Sequence, residues 1–386
     1  MLRSFVLMVI VLAALPAGAT AQGRADVQTT VQVTNGNGAS AAPFISGDER
    51  FDRVLAFSSD AGDLVAGDTN GTTDVFVARN ANPDVNASST WTPSGIEMVS
   101  KGRGGAPANG KSYGPAVDGE PGSPPHAPTC VAFVSDASNL VSGDTNGQPD
   151  AFVAKLGSGK ISRVSIGSDG AQANGPSFDV SVDGTCERVA FSARASKLGG
   201  GGGQQVYVHH VAGPGKGTTE LASATKSGKP MGGGASHPSY AIRVNASNDK
   251  VAFSAGGAVY VHDFKKKKTS QVAGGGAAEP VISEDGSVVA YARDGMVFSN
   301  SKPVSDPNAG TASDPSIGAG GAYIAYAASG GGVFLYTDVR QLNLLESLTA
   351  DGKPLTPSDQ PAVSARGNEV FFVHDGQIFA RYLGGR

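Results

Sequence analysis

The sequence predicts an all-β protein: a single β-propeller of four-stranded antiparallel blades, seven by the count of repeats. Three observations predict it. A short apolar unit ending in an aromatic recurs seven times, at 54–57, 130–133, 188–191, 250–253, 288–291, 323–326 and 369–372. Long helical patterns are missing; short β-branched and aromatic runs alternate with Gly, Asp, Asn, Ser and Pro. Gly supplies 55 of 386 residues, about twice the usual share.

The elements follow in order. Residues 1–21 have the layout of a secretory signal peptide: Arg3, an apolar run from Phe5 to about Leu15, and the small residues Ala19 and Ala21 around a cleavage site. That run is short for a bilayer, which needs about 20 residues. The mature chain, 22–386, is expected to be one propeller, secreted or periplasmic, with no membrane span. TTVQVTNGNG (29–38) is a spare strand, whereas the last repeat, ending IFARYLGGR, lacks its fourth. The N-terminal strand is therefore expected to close the last blade.

Within each repeat a Pro-containing strand comes first, as in HPSYAIRVN, EPVISEDG and QPAVSARG. A turn such as SEDG follows, then the apolar strand (KVAF, VVAY), then a second apolar strand (DVFVA, QVYVHH, AVYVHD), then a segment such as IEMVS. Four short antiparallel strands are one blade, and stacked blades bury the faces that a lone blade leaves bare. The spacing from Phe57 to Phe133 is long and that from Tyr291 to Tyr326 short, so the count is open by one, to six or eight.

These motifs resemble the WD40-like, or TolB-like (PD40-type), β-propeller repeat of exported bacterial proteins. The resemblance covers nearly the whole mature chain. It implies a propeller that serves interactions. The chain has no room for the further N-terminal α/β domain of TolB itself, so a role in the Tol–Pal system is not implied.

Charge excludes some functions. Charged residues make up 17% and the net charge is −4, which gives no basic field for nucleic acid. Lys265–Lys268 read as a solvated hairpin loop. GAPANGKS (105–112) matches a P-loop pattern in form, but no strand precedes it and no helix follows. Its neighbourhood aligns without gaps to 164–178, so it reads as a connector between blades. The same argument removes Ser112 as the nucleophile of a G-x-S-x-G elbow. His126 and His237 read as connector residues. His209 and His262 occupy one repeat position at a strand end, and none of these has zinc-site spacing. Asn86-Ala-Ser and Asn245-Ala-Ser are glycosylation sequons in form only.

Two candidate sites remain. Cys130 and Cys186, the only cysteines, precede consecutive apolar strands and are expected to form a disulfide. GDTNGTTDVFV (67–77) and GDTNGQPDAFV (143–153) place Asp68, Asn70 and Asp74, and Asp144, Asn146 and Asp150, at i, i+2 and i+6. Position 4 is Gly and position 12 is Arg79 or Lys155, so neither is an EF-hand. A smaller Ca²⁺ site and plain Asx-turn chemistry both fit. No other cofactor is called for.

The expected function is a non-catalytic exported binding or scaffold module for a protein, peptide or cell-surface ligand, as a monomer. Two alternatives stay open. One is a secreted hydrolase or lyase with carboxylates or histidines clustered at the channel mouth. The other is a Ca²⁺-stabilised structural domain.

Overall fold

The computed structural model describes residues 28–48, 51–83, 91–121, 125–241 and 248–384. Residues 1–21, expected to be a signal peptide, and both Asn-Ala-Ser triplets lie outside the described residues. Seven sheets of four antiparallel strands form the blades of a propeller. Strands are labelled a to d from the channel outwards. Blade 1 is Ser40–Ile45, Val54–Ser59, Asp74–Asn80 and Pro93–Met98. Blades 2 to 6 repeat this order, with strand a at Ser112–Val117, Ser177–Val182, Ala235–Tyr240, Ala278–Ile282 and Ala312–Ile317. Blade 7 is Ser358–Val363, Glu369–His374 and Gln377–Tyr382, completed by Thr29–Gln32. The count of seven and the closing role of the N-terminal strand both stand.

The recurring aromatic explains the blade. Strands b and c pair so that each blade sets one ring of strand b against one of strand c, from Phe57–Phe76 at 5.7 Å to Tyr291–Phe298 at 5.4 Å and Phe372–Phe379 at 5.8 Å. Directly opposed aromatic pairs are the strong unit of an antiparallel sheet. Seven apolar clusters fill the seams between neighbouring blades. There is no single central core: the apolar residues lie between the sheets and leave the axis open.

The ring closes by polar as well as backbone bonds. Thr29–Gln32 pairs antiparallel with Tyr382–Phe379. Arg381 of strand c is buried and sits 3.2 Å from Glu346 of blade 6, while its guanidinium also donates to Gln28 and Thr30. One guanidinium thus joins both chain ends and the preceding blade. At the seam of blades 2 and 3 the structure joins Cys130 to Cys186, with Cα atoms 6.2 Å apart. Cys130 opens strand b of blade 2, whereas Cys186 lies in the turn before strand b of blade 3, with a left-handed φ of 55°.

Candidate functional site at the channel mouth

Strand a runs along the channel, and its register against strand b shifts in every blade. In six blades the bulge begins at one repeat position, occupied by Ala42, Gly114, His237, Glu279, Asp314 and Gln360; in blade 3 it falls at Phe178, and Asp179 beside it stays paired with Ser192. The six residues at that position each precede a proline. Five non-glycine members are left-handed: Ala42, His237, Glu279, Asp314 and Gln360, with φ between 49° and 53°. Such a residue costs roughly 1–2 kcal/mol. Bulges are a known way to re-aim side chains, and backbone strain clusters at functional places. Gly114 takes φ 60° there, and a Cβ on it would meet nothing within 4 Å.

The five polar side chains at or beside these positions, Asp179, His237, Glu279, Asp314 and Gln360, divide into two kinds. Asp179 accepts the His237 backbone N–H at 3.2 Å, Glu279 accepts the Asp314 N–H at 2.9 Å, and Gln360 accepts the Ala42 N–H at 2.6 Å. Each therefore reaches sideways and ties its bulge to the next blade. His237 and Asp314 do not. The His237 ring is 3.0 Å from the neighbouring Ser236 hydroxyl. Asp314 opens to the channel, yet protein encloses it on the rim. That enclosure, with Glu279 and Asp359 nearby, pushes its carboxyl up to about 6, while His237 pulls the other way. Asp359, one position before Gln360, is exposed, and desolvation raises its carboxyl too.

Behind this rim lies a cavity of about 440 Å³. Pro43, Phe44, Pro115, Val281, Pro315 and Ile317 are among its walls, and Asp314, Gln360 and Glu284 also line it. Two cations flank strand a of blades 2 and 3. Lys111 pairs with Asp136 at 3.8 Å, and Arg194 lies over the Phe178 ring.

His237 is thus a residue of strand a, not of a connector. The bulge shifts it to the lumen, which repeat spacing alone did not convey. The signal was present in the residue before each proline, read in the sequence only as part of a strand. His209 and His262 lie in strand c, each 2.8 Å from a threonine hydroxyl of strand d. Burial lowers His209 to about 4. His126 lies in the connection before strand b of blade 2. Ser112 is buried at the start of strand a, 2.8 Å from the Ser135 hydroxyl, and GAPANGKS is the link from blade 1 into that strand.

The Asp-Thr-Asn-Gly loops join strands b and c of blades 1 and 2. Their asparagines make Asx turns: the Thr72 and Gln148 N–H groups donate to Asn70 and Asn146 at 3.1 and 2.9 Å. The amide NH₂ of each then faces a carboxylate, at 2.6 Å for Asn70–Asp74 and 3.2 Å for Asn146–Asp150. An asparagine so turned offers a donor where a cation needs an oxygen. In blade 2, Arg163 lies 3.5 Å from Asp144 and 3.4 Å from Asp150. In blade 1 the matching residue is Met98. There desolvation raises Asp68 and Asp74, and Asp68 adds to the rise at Asp74. Among the described residues, one group of three His, Cys, Asp or Glu ligand atoms lies within 4.8 Å of one another: Asp118 with the two disulfide cysteines.

No family model matches the chain, and no curated protein sequence does. Solved structures do match in fold. A manganese complex of an oligogalacturonate lyase is similar at a TM-score of 0.58 with 10% identity, covering 92% of this chain and 93% of that one. The oligogalacturonate lyase of Vibrio parahaemolyticus has a TM-score of 0.54 and 9% identity over 92% and 93%. The propeller domain of Myceliophteria thermophila Cps50 (Swd1) has a TM-score of 0.53 and 10% identity over 92% and 99%. At such identity they establish the propeller fold and no activity.

Proposed function

We propose that this protein is an exported, non-catalytic binding module of the WD40-like or TolB-like kind, and that its ligand enters the channel at the rim of Asp314, Asp359 and His237. The carrying observation is the pairing of that rim with an apolar-walled cavity of about 440 Å³, within the usual range for ligand pockets. The buried Cys130–Cys186 disulfide supports a secreted or periplasmic setting. A ligand-observed NMR screen with basic, acidic and neutral peptides and oligosaccharides tests the reading. Binding by wild type and its loss in Ala42→Trp, which fills the cavity wall, are expected. Ligands that bind both proteins equally, or none at all, sink it.

The second reading is a hydrolase or lyase, favoured by Asp314. A carboxyl raised to about 6 beside Glu279 has the make-up of a general acid. Against it, the rim shows a single imidazole and no close group of metal donors among the described residues. Turnover of a bound oligosaccharide in the same screen, lost in Asp314→Asn, would replace the first reading with this one. A calcium-stabilised role survives for blade 1 alone, where Met98 stands in place of an arginine. A melting midpoint unmoved by EDTA removes it.

A further inference from the structure

We infer that the channel ligand is a basic peptide segment, in which an apolar side chain enters the cavity and flanking Lys or Arg residues face the rim. This rests on the channel reading above and adds the chemistry of the partner. The rim carboxylates Asp179, Glu279, Asp314 and Asp359 come from blades 3, 5, 6 and 7. Lys111 is offset by Asp136, and Arg194, over the ring of Phe178 beside Asp179, is one positive charge against four carboxylates. The mouth is therefore acidic, and complementary charge selects the partner's sign.

Depth sets the second requirement. Below the rim the cavity walls are Pro43, Phe44, Val281, Pro315 and Ile317, which reward an apolar group and penalise a polar one. Spread sets the third. The carboxylates are distributed over most of the ring and do not converge on one point. A small amine neutralises one of them; a chain carrying several cations reaches more than one. An acidic oligosaccharide meets the same carboxylates with like charge.

The test uses fluorescence anisotropy on the mature protein. The probes are labelled Lys-Leu-Phe-Lys-Leu-Arg and its counterpart with every basic residue replaced by Glu, with spermine as unlabelled competitor. The basic peptide is expected to bind at least about tenfold more tightly than the acidic one. Asp314→Asn/Asp359→Asn, two positions that tie no bulge to its neighbour, should weaken it by about tenfold or more with a melting midpoint no lower than that of the wild type. Affinity should fall as pH drops below 6, since Asp314 then loses its charge in the company of Glu279, Asp359 and His237. Equal binding of both peptides, spermine outcompeting the peptide at equal concentration, or full binding by the double variant overturns the inference. If Ala42→Trp still abolishes binding of both peptides in that event, the channel reading stands and the cationic class falls. If Ala42→Trp changes nothing, both fall.

Discussion

Single side chains separate blades that look alike. Arg163 stands between Asp144 and Asp150, and all three side chains are at most 7% exposed. Its match in blade 1, Met98, neutralises nothing. Arg163→Met should cost about 3 kcal/mol near neutral pH, the scale for removing one partner of a buried ion set. The cost should shrink at acid pH, because burial raises the Asp150 carboxyl and its protonation removes part of the unpaired charge. Denaturant titration at both pH values checks this, and equal losses would contradict it. A second buried acid works without a cation. Glu369 accepts the Trp91 backbone N–H at 2.8 Å, and burial pushes it up to about 8. Burial raises Asp52 as well, with Glu369 adding to the rise. A carboxyl raised in the folded state binds its proton more tightly there than in the unfolded chain. Stability is therefore intact below the unfolded value near 4.5 and falls as pH rises toward 8. Glu369→Gln keeps the Trp91 bond, so thermal melts from pH 5 to 9 should show a flatter decline, with a gain on the order of 2 kcal/mol at the alkaline end.

Strands were legible because each blade states its pattern in local terms. The aromatic of strand b meets one of strand c in all seven blades, so period and turn residues sufficed to place both. Strand a was legible as a strand but not as the carrier of the site. Its bulge reverses the inside-outside reading at one position, and alternation along a strand does not announce such a shift. His237 shows the consequence: a proline neighbour suggested a connector, whereas the bulge turns it to the lumen. The Asp-Thr-Asn-Gly loops show the opposite case. Two near-identical sequences fold to the same Asx turn, and only the partner strand reveals that one has a guanidinium and the other a thioether.

At the level of the ring, closure depends on residues far apart in the chain. Arg381, Glu346, Thr30 and Gln28 meet only when the N-terminal strand docks. Without residues 22–34, blade 7 presents the unpaired edge of Gln377–Tyr382, a template for another chain. The truncated protein should elute in size-exclusion chromatography as higher-order species than the chain that keeps these residues. Arg381→Met, which keeps the strand, should melt lower by about 3 kcal/mol in stability yet stay unassociated. A truncated chain that remains monomeric with an unchanged melting midpoint would show that the strand does not close the ring.

Fold class, blade number and the closing strand could be read from the chain because they rest on short-range periodicity: apolar triplets, turn dipeptides and a strand left over at one end. The channel site could not. Its members come from several blades and are tens of residues apart; His237, Glu279 and Asp314 share the place before a proline, and Asp179 and Asp359 lack even that. Radial stacking brings them onto one rim, a register shift in strand a faces them inward, and enclosure together with neighbouring carboxylates sets the charge of Asp314. Those are properties of tertiary neighbours, and no local pattern carries them.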